Sequence, residues 1–179
     1  MLYAFAFDRI GVVVGDLYLV DPSLPPGREG PERGIRLEVR LFQLGDTQGS
    51  LYKAAPIAVD RPLWRADLLE SVCSPPGSLD RAHYHPRFNG WSPTDDVFTD
   101  DLTADPLGWL TDRLAHPEAL LEEAGVAPHD VGPHDVGDLQ DAVPEIMAAA
   151  RGLVDTASKG RRVRPPDWEQ HGSARISWL

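Results

Sequence analysis

Residues 35–41, Ile35-Arg36-Leu37-Glu38-Val39-Arg40-Leu41, decide the fold. Aliphatic and charged residues alternate without a break. A period of two sends the aliphatics to one face of a strand and the charges to the other. One half-buried strand needs partners, and the flanking sequence supplies candidates. Upstream, Ser23–Arg33 is rich in Pro and Gly and reads as a loop. Before it, Ile10–Val20 is apolar and β-branched, ending at Asp21-Pro22. The start, Met1–Val14, is apolar but carries Asp8 and Arg9 and lacks a basic leader. It reads as a first strand rather than a signal peptide.

Downstream, Phe42 breaks the alternation, as at a bulge. Gly45–Gly49 reads as a hairpin connection. Leu51–Val59 is the next strand candidate, with Pro56 favouring an edge or bulge. Leu63–Leu69 is another, with a short helix as the alternative. Ser74-Pro75-Pro76-Gly77 ends it, and Arg81–Phe88 reads as a last strand.

Beyond residue 100 the period changes. Asp105-Pro106 is an N-cap followed by a first-turn proline, and Leu107, Leu110 and Leu114 then share a helical face. His116-Pro117 restarts the helix, and Gly125 stands where a left-handed C-terminal residue is expected. Pro144 opens a further helix, with Ile146, Ala149, Ala150, Leu153, Val154 and Ala157 on its apolar face. Between them a pentapeptide repeats, Pro128–Gly132 and Pro133–Gly137, which reads as a duplicated surface loop. Strands followed by helices imply an α+β fold: an N-terminal antiparallel, strongly bent sheet of about five strands, with two or three C-terminal helices packed on it. One domain is expected, β-rich over 1–100 and helical over 103–158, with a basic, Pro-rich tail at 159–179.

Bulk composition bounds the function. The 179 residues carry a net charge of −11. That acidity repels phosphate backbones and argues against general nucleic-acid binding. Cys73 is the only cysteine, so no intrachain disulfide or cysteine-based zinc site can form. It reads as a buried or inert thiol. No apolar run is long enough for a membrane span. A cytoplasmic bacterial protein is expected, with an unknown small molecule or protein as partner and a homodimer as one form of assembly.

The densest chemistry is Asp80–Trp91. As a strand, Arg81, His83, His85 and Arg87 project from one face. Two imidazoles at i and i+2 can bind one metal ion: zinc, iron, nickel, copper or manganese. A third ligand must come from elsewhere, and Asp67, Glu70, Asp80 and Asp95 are the nearest acids. The arginines could hold an anionic substrate. The competing reading makes His83 and His85 an exposed polar edge. Arg65 and Asp67, two apart on a strand, either orient the site or form a structural ion pair. His129-Asp130 and His134-Asp135 are a second, weaker metal candidate. Lys159, Arg161, Arg162 and Arg164 form one basic run that also suits a helix C-terminus.

His83-Tyr84-His85 resembles the His-x-His element of cupins, but Pro86–Gly90 lacks the Glu that should follow. Arg65-Ala66-Asp67 followed by His83-Tyr84-His85 resembles TumE-like toxins, which implies a ribonuclease-like or translation-blocking role for the same histidines. Three functions are therefore weighed. The first is a metal-assisted hydrolase or oxygenase using His83 and His85 with a carboxylate. The second is a metal-free, toxin-type ribonuclease. The third is a non-catalytic protein that binds a partner through an apolar patch near Trp109 or Trp168, with both histidines in solvent.

Overall fold

The computed structural model describes residues 1–20, 30–44 and 57–158. Five strands form one antiparallel sheet in chain order: β1 Leu2–Ala6, β2 Ile10–Leu19, β3 Glu32–Leu44, β4 Ile57–Ser71 and β5 His83–His85. The sheet does not close, and the arrangement is the expected α+β one. A small hairpin, β6 Phe88–Asn89 and β7 Ser92–Pro93, follows β5 across Gly90-Trp91. Gly90 has φ 63°, a left-handed value that favours glycine in so short a turn.

The alternation in 35–41 is realised in β3. Ile35, Leu37 and Val39 are fully buried and belong to the main core. They share the apolar sheet face with Val12 and Val14 of β2 and with Trp64, Ala66 and Leu68 of β4. Burying each aliphatic contributes roughly 1.5–3 kcal/mol. Four helices complete the chain: α1 Asp100–Ala104, α2 Pro106–Ala115, α3 Pro117–Glu123 and α4 Asp135–Ser158. Helix α4 packs across β2 and β3, burying Leu139, Ile146, Met147 and Ala150.

Several boundaries differ from expectation, each for a physical reason. The N-terminal stretch is a hairpin rather than one strand: the chain turns at residues 7–9, and Phe5 pairs with Val12. Strand β4 runs unbroken where two segments were expected. Pro62 pairs with Arg40, where the register of β3 against β4 shifts on either side, and such irregularities are where strands accept proline. Helix α4 begins at Asp135, and Pro144 lies inside it instead of opening it. The second pentapeptide copy is therefore not wholly a loop. Its Asp135 carboxylate is buried and accepts hydrogen bonds from the backbone N–H groups of Gly132, Arg9 and Ile10. Asp135 thus joins the first helical turn to the start of β2. Helix α1 was not anticipated; Thr99 caps it by accepting from Leu102 N–H.

The caps of α2 and α3 follow the sequence. Asp105 accepts from Gly108 N–H at 2.9 Å, and Pro117 restarts the helix. Gly125, at φ 68°, follows α3 as expected. Cys73 is exposed rather than buried. No described helix is long and apolar enough to cross a membrane. The expected hairpin at 45–49, the strand candidate over 51–56 and the basic tail with Trp168 lie outside the described residues.

Candidate metal centre

The polar face of the sheet carries a grid of ionisable side chains. Antiparallel pairing aligns Arg36 of β3 with Asp67 of β4 and His83 of β5. The adjacent row is Glu38, Arg65 and His85. Directly paired residues on one face have Cβ atoms about 4.5–5.5 Å apart, so each row is a line of touching side chains. Alternation in β3 and β4 placed the acids and arginines here, and the His-x-His spacing in β5 placed both imidazoles on the same face.

Asp67 is the centre of the grid. Its side chain is 2% exposed. Arg36 holds it with two hydrogen bonds, Nε to Oδ1 at 2.6 Å and Nη2 to Oδ2 at 2.8 Å. Burial opposes its ionisation, but the polar contact from His85, the paired Arg36 and the charge of Arg65 outweigh it. The carboxyl is held well below the usual carboxylate range. Asp67 is therefore a fixed, oriented anion.

Both imidazoles aim their Nε2 atoms at Asp67 Oδ2, each at 3.6 Å. Their other nitrogens are occupied. His83 Nδ1 lies 2.9 Å from the carbonyl of Arg81, and His85 Nδ1 lies 3.2 Å from that of Thr94. A carbonyl can only accept, so the ring hydrogen of a neutral imidazole here sits on Nδ1 and leaves the lone pair on Nε2. Two nitrogen lone pairs and a carboxylate oxygen then converge on one point. A separation of 3.6 Å is too long for a good hydrogen bond. It is close to the roughly 3.3 Å edge of a tetrahedron built on metal–ligand bonds of about 2.0–2.1 Å. All three ligand atoms lie within 4.8 Å of one another. Asp67, His83 and His85 could hold a metal ion, and the ring hydrogens on backbone carbonyls are the usual support for such imidazoles.

The other acids are engaged or distant. Glu70 binds Arg33 and the N–H of Gly77. Asp80 accepts from Ser74, Ser78 and the N–H of Ser71. Asp95 is exposed, and it is its neighbour Asp96 that stands 3.4 Å from His85 Nδ1.

The expected row of four on β5 is shortened. The strand spans only residues 83–85, so Arg81 lies in the preceding turn and Arg87 beyond Pro86. Arg87 turns away and donates to the carbonyl of Glu123. The cations that do neighbour the group are Arg36 and Arg65, and Arg40 is joined to them through Glu38. Arg65 pairs with Glu38 at 2.7 Å and Arg40 pairs with the same carboxylate. Burial, with the neighbouring charge of Arg36, lowers the Arg65 pKa despite the opposing pull of Glu38 and Asp67. Sequence reading missed Arg36, Glu38 and Arg40 as neighbours. Their signal was the charged half of the alternation in 35–41.

Aromatic side chains border the grid. Phe98 lies beside His83 in a tilted arrangement with ring centroids 5.4 Å apart, Arg65 lies 4.9 Å from the Phe88 ring, and Arg40 lies 5.3 Å from the Trp91 ring. His129 and His134 form no second centre. His134 pairs with Asp8 at 3.0 Å, while Asp135 is used as a cap. Among the described residues, Asp67, His83 and His85 are the one group with metal-ligand spacing. Trp109 is not an exposed docking residue either: it stacks on Trp64 at 6.0 Å, half-buried on the core side.

No protein-family model, no curated protein and no solved structure matches the chain. The likenesses to cupins and TumE-like toxins rest on the quoted residues alone.

Proposed function

We propose that the protein is a small metal-assisted enzyme whose ion is held by Asp67, His83 and His85. One observation carries this reading: the Nε2 atoms of two imidazoles converge on one oxygen of a buried, ionised carboxylate, each at 3.6 Å. With both rings neutral, such an arrangement is repulsive unless a cation fills it. Two nitrogens and one oxygen suit zinc, iron, nickel or manganese, and three protein ligands leave room for water or substrate. An ion held there would supply Lewis acidity and a more acidic bound water. Hydrolytic or oxygen-dependent chemistry follows according to the metal. The protein's own part is orientation. Arg36 fixes the carboxylate, and the carbonyls of Arg81 and Thr94 fix the rings.

The test is elemental analysis of the purified protein beside a His83→Ala/His85→Ala variant and Asp67→Asn. About one metal per chain, lost in both variants with the circular dichroism spectrum kept, supports the centre. Absence of metal in the native protein, even after zinc, iron, nickel and manganese are offered, overturns it.

A second reading has one observation in its favour. The register sets Arg65 opposite His85 and Asp67 opposite His83, joining the two elements of the TumE-like resemblance in one site. The same histidines would then act as acid and base in RNA cleavage without a metal. Cleavage of an RNA substrate that persists in chelator, and is lost in the double-histidine variant, would favour that reading.

A further inference from the structure

We infer that the arginines beside Asp67, His83 and His85 form an oxyanion subsite, and that the substrate is a small anion carrying a flat ring. The inference rests on the metal-centre reading and extends it to a substrate class.

Consider what the three guanidiniums leave unused. Arg36 spends Nε and Nη2 on Asp67. Arg65 spends Nε and Nη2 on Glu38. Arg40 spends Nε on the carbonyl of Asp60 and Nη1 on Glu38. Each keeps one terminal nitrogen that donates to no described residue, and the Arg36, Arg40 and Arg65 side chains are 15%, 14% and 13% exposed. Solvent, or an anion in its place, can reach them. Guanidiniums present planar pairs of donors that match carboxylate and phosphate oxygens.

Charge makes the subsite conditional on the ion. Arg36, Arg40 and Arg65 are balanced by Glu38, Asp67 and Asp96. The patch thus has no excess of positive charge by itself and gains two positive charges once a divalent ion joins it. An anion would be attracted to the loaded centre and little attracted to the empty one, in a chain whose net charge is −11.

The ring preference comes from the rim. Trp91 and Phe98 are 64% and 62% exposed, among the most exposed large apolar side chains of the described residues. Trp91 lies by Arg40 and Phe98 by His83, so the two rings border the same patch on either side of the arginines. Exposed aromatics beside cations form a stacking platform for a planar group. Each ring touches a cation or an imidazole and still leaves most of its surface to solvent, where a flat ligand can cover it.

The experiment is calorimetric titration of the zinc-loaded protein with inorganic phosphate and with phenyl phosphate, repeated on Arg65→Gln and on Trp91→Ala/Phe98→Ala. Zinc content is measured on every sample. Phenyl phosphate is expected to bind about tenfold more tightly than phosphate, as one stacked ring would give. The double aromatic variant should erase that preference, and Arg65→Gln should weaken both anions about tenfold, as loss of a charged hydrogen bond would. All three proteins should hold the same zinc, and the zinc-free protein should bind neither anion measurably. Full zinc occupancy without anion binding overturns the subsite and leaves the metal centre standing. Equal affinity for the two phosphates overturns the ring preference. Absence of zinc from the native protein overturns the metal centre and the subsite with it.

Discussion

The two faces of one sheet can be compared residue by residue, because they are built from the same strands. On one face Ile35, Leu37, Val39, Trp64 and Leu68 are sealed under the helices. On the other, Arg36, Glu38, Arg65, Asp67, His83 and His85 form a charged grid bordered by Phe88, Trp91 and Phe98. Neighbours in sequence live in opposite environments. Tyr84 lies between two imidazoles yet points its ring into the aromatic cluster with Trp64 and Trp109. Stability should thus reside on the apolar face and metal chemistry on the polar one.

The largest effect should come from breaking the apolar face. Trp64→Ala removes a fully buried ring and should cost about 3–5 kcal/mol in urea unfolding. Whatever fraction stays folded should keep its full metal stoichiometry. Loss of metal with little loss of stability would mean that the two faces are not separate in function.

The next effect separates the faces by pH. Asp67 has its pKa lowered, so its stabilisation is present above the ordinary carboxylate range. It is lost only as pH falls through the depressed folded value. Tyr84 moves the other way: burial and the nearby Glu123 raise its pKa, against the smaller pull of Arg113. Its contribution is present below the ordinary tyrosine value, near pH 10, and is lost as pH rises through the raised one. Unfolding free energies measured across pH should show Asp67→Asn flattening the slope of the acid limb and Tyr84→Phe that of the alkaline limb. Either variant altering both limbs would join what the structure keeps apart.

The smallest effect belongs to Arg40→Met. Glu38 keeps Arg65 as a partner, so thermal unfolding should change by about 1 kcal/mol or less. A loss comparable to Trp64→Ala would show the polar grid to be part of the core.

Much of this was legible in the sequence, and the gaps have physical causes. The alternation in 35–41 and the Asp105-Pro106 cap are local signals, and local signals were enough for the α+β layout. The unbroken course of β4 past Pro62 was hidden, because it depends on a register shift opposite Arg40. The reach of α4 through Pro144 was hidden too, since packing on the sheet sustains a helix that propensity alone would interrupt. The His-x-His pair stood out at once. Its carboxylate partner did not, because only strand register distinguishes Asp67 from Glu70, Asp80 and Asp95. Arg87 misled, since Pro86 ends the strand before it.

The carboxylate of Asp135, hydrogen-bonded to the N–H groups of Arg9 and Ile10, has a consequence for biogenesis. The start of β2 waits for a residue 125 positions later. At ribosomal speeds of about 5–20 residues per second, that interval lasts roughly 6–25 seconds. Through it the nascent β1–β2 hairpin carries Ile10, Val12 and Val14, fully buried in the finished fold, without the helix that packs on β2, so chaperone occupancy of the emerging chain should fall once residue 135 and that helix clear the exit tunnel.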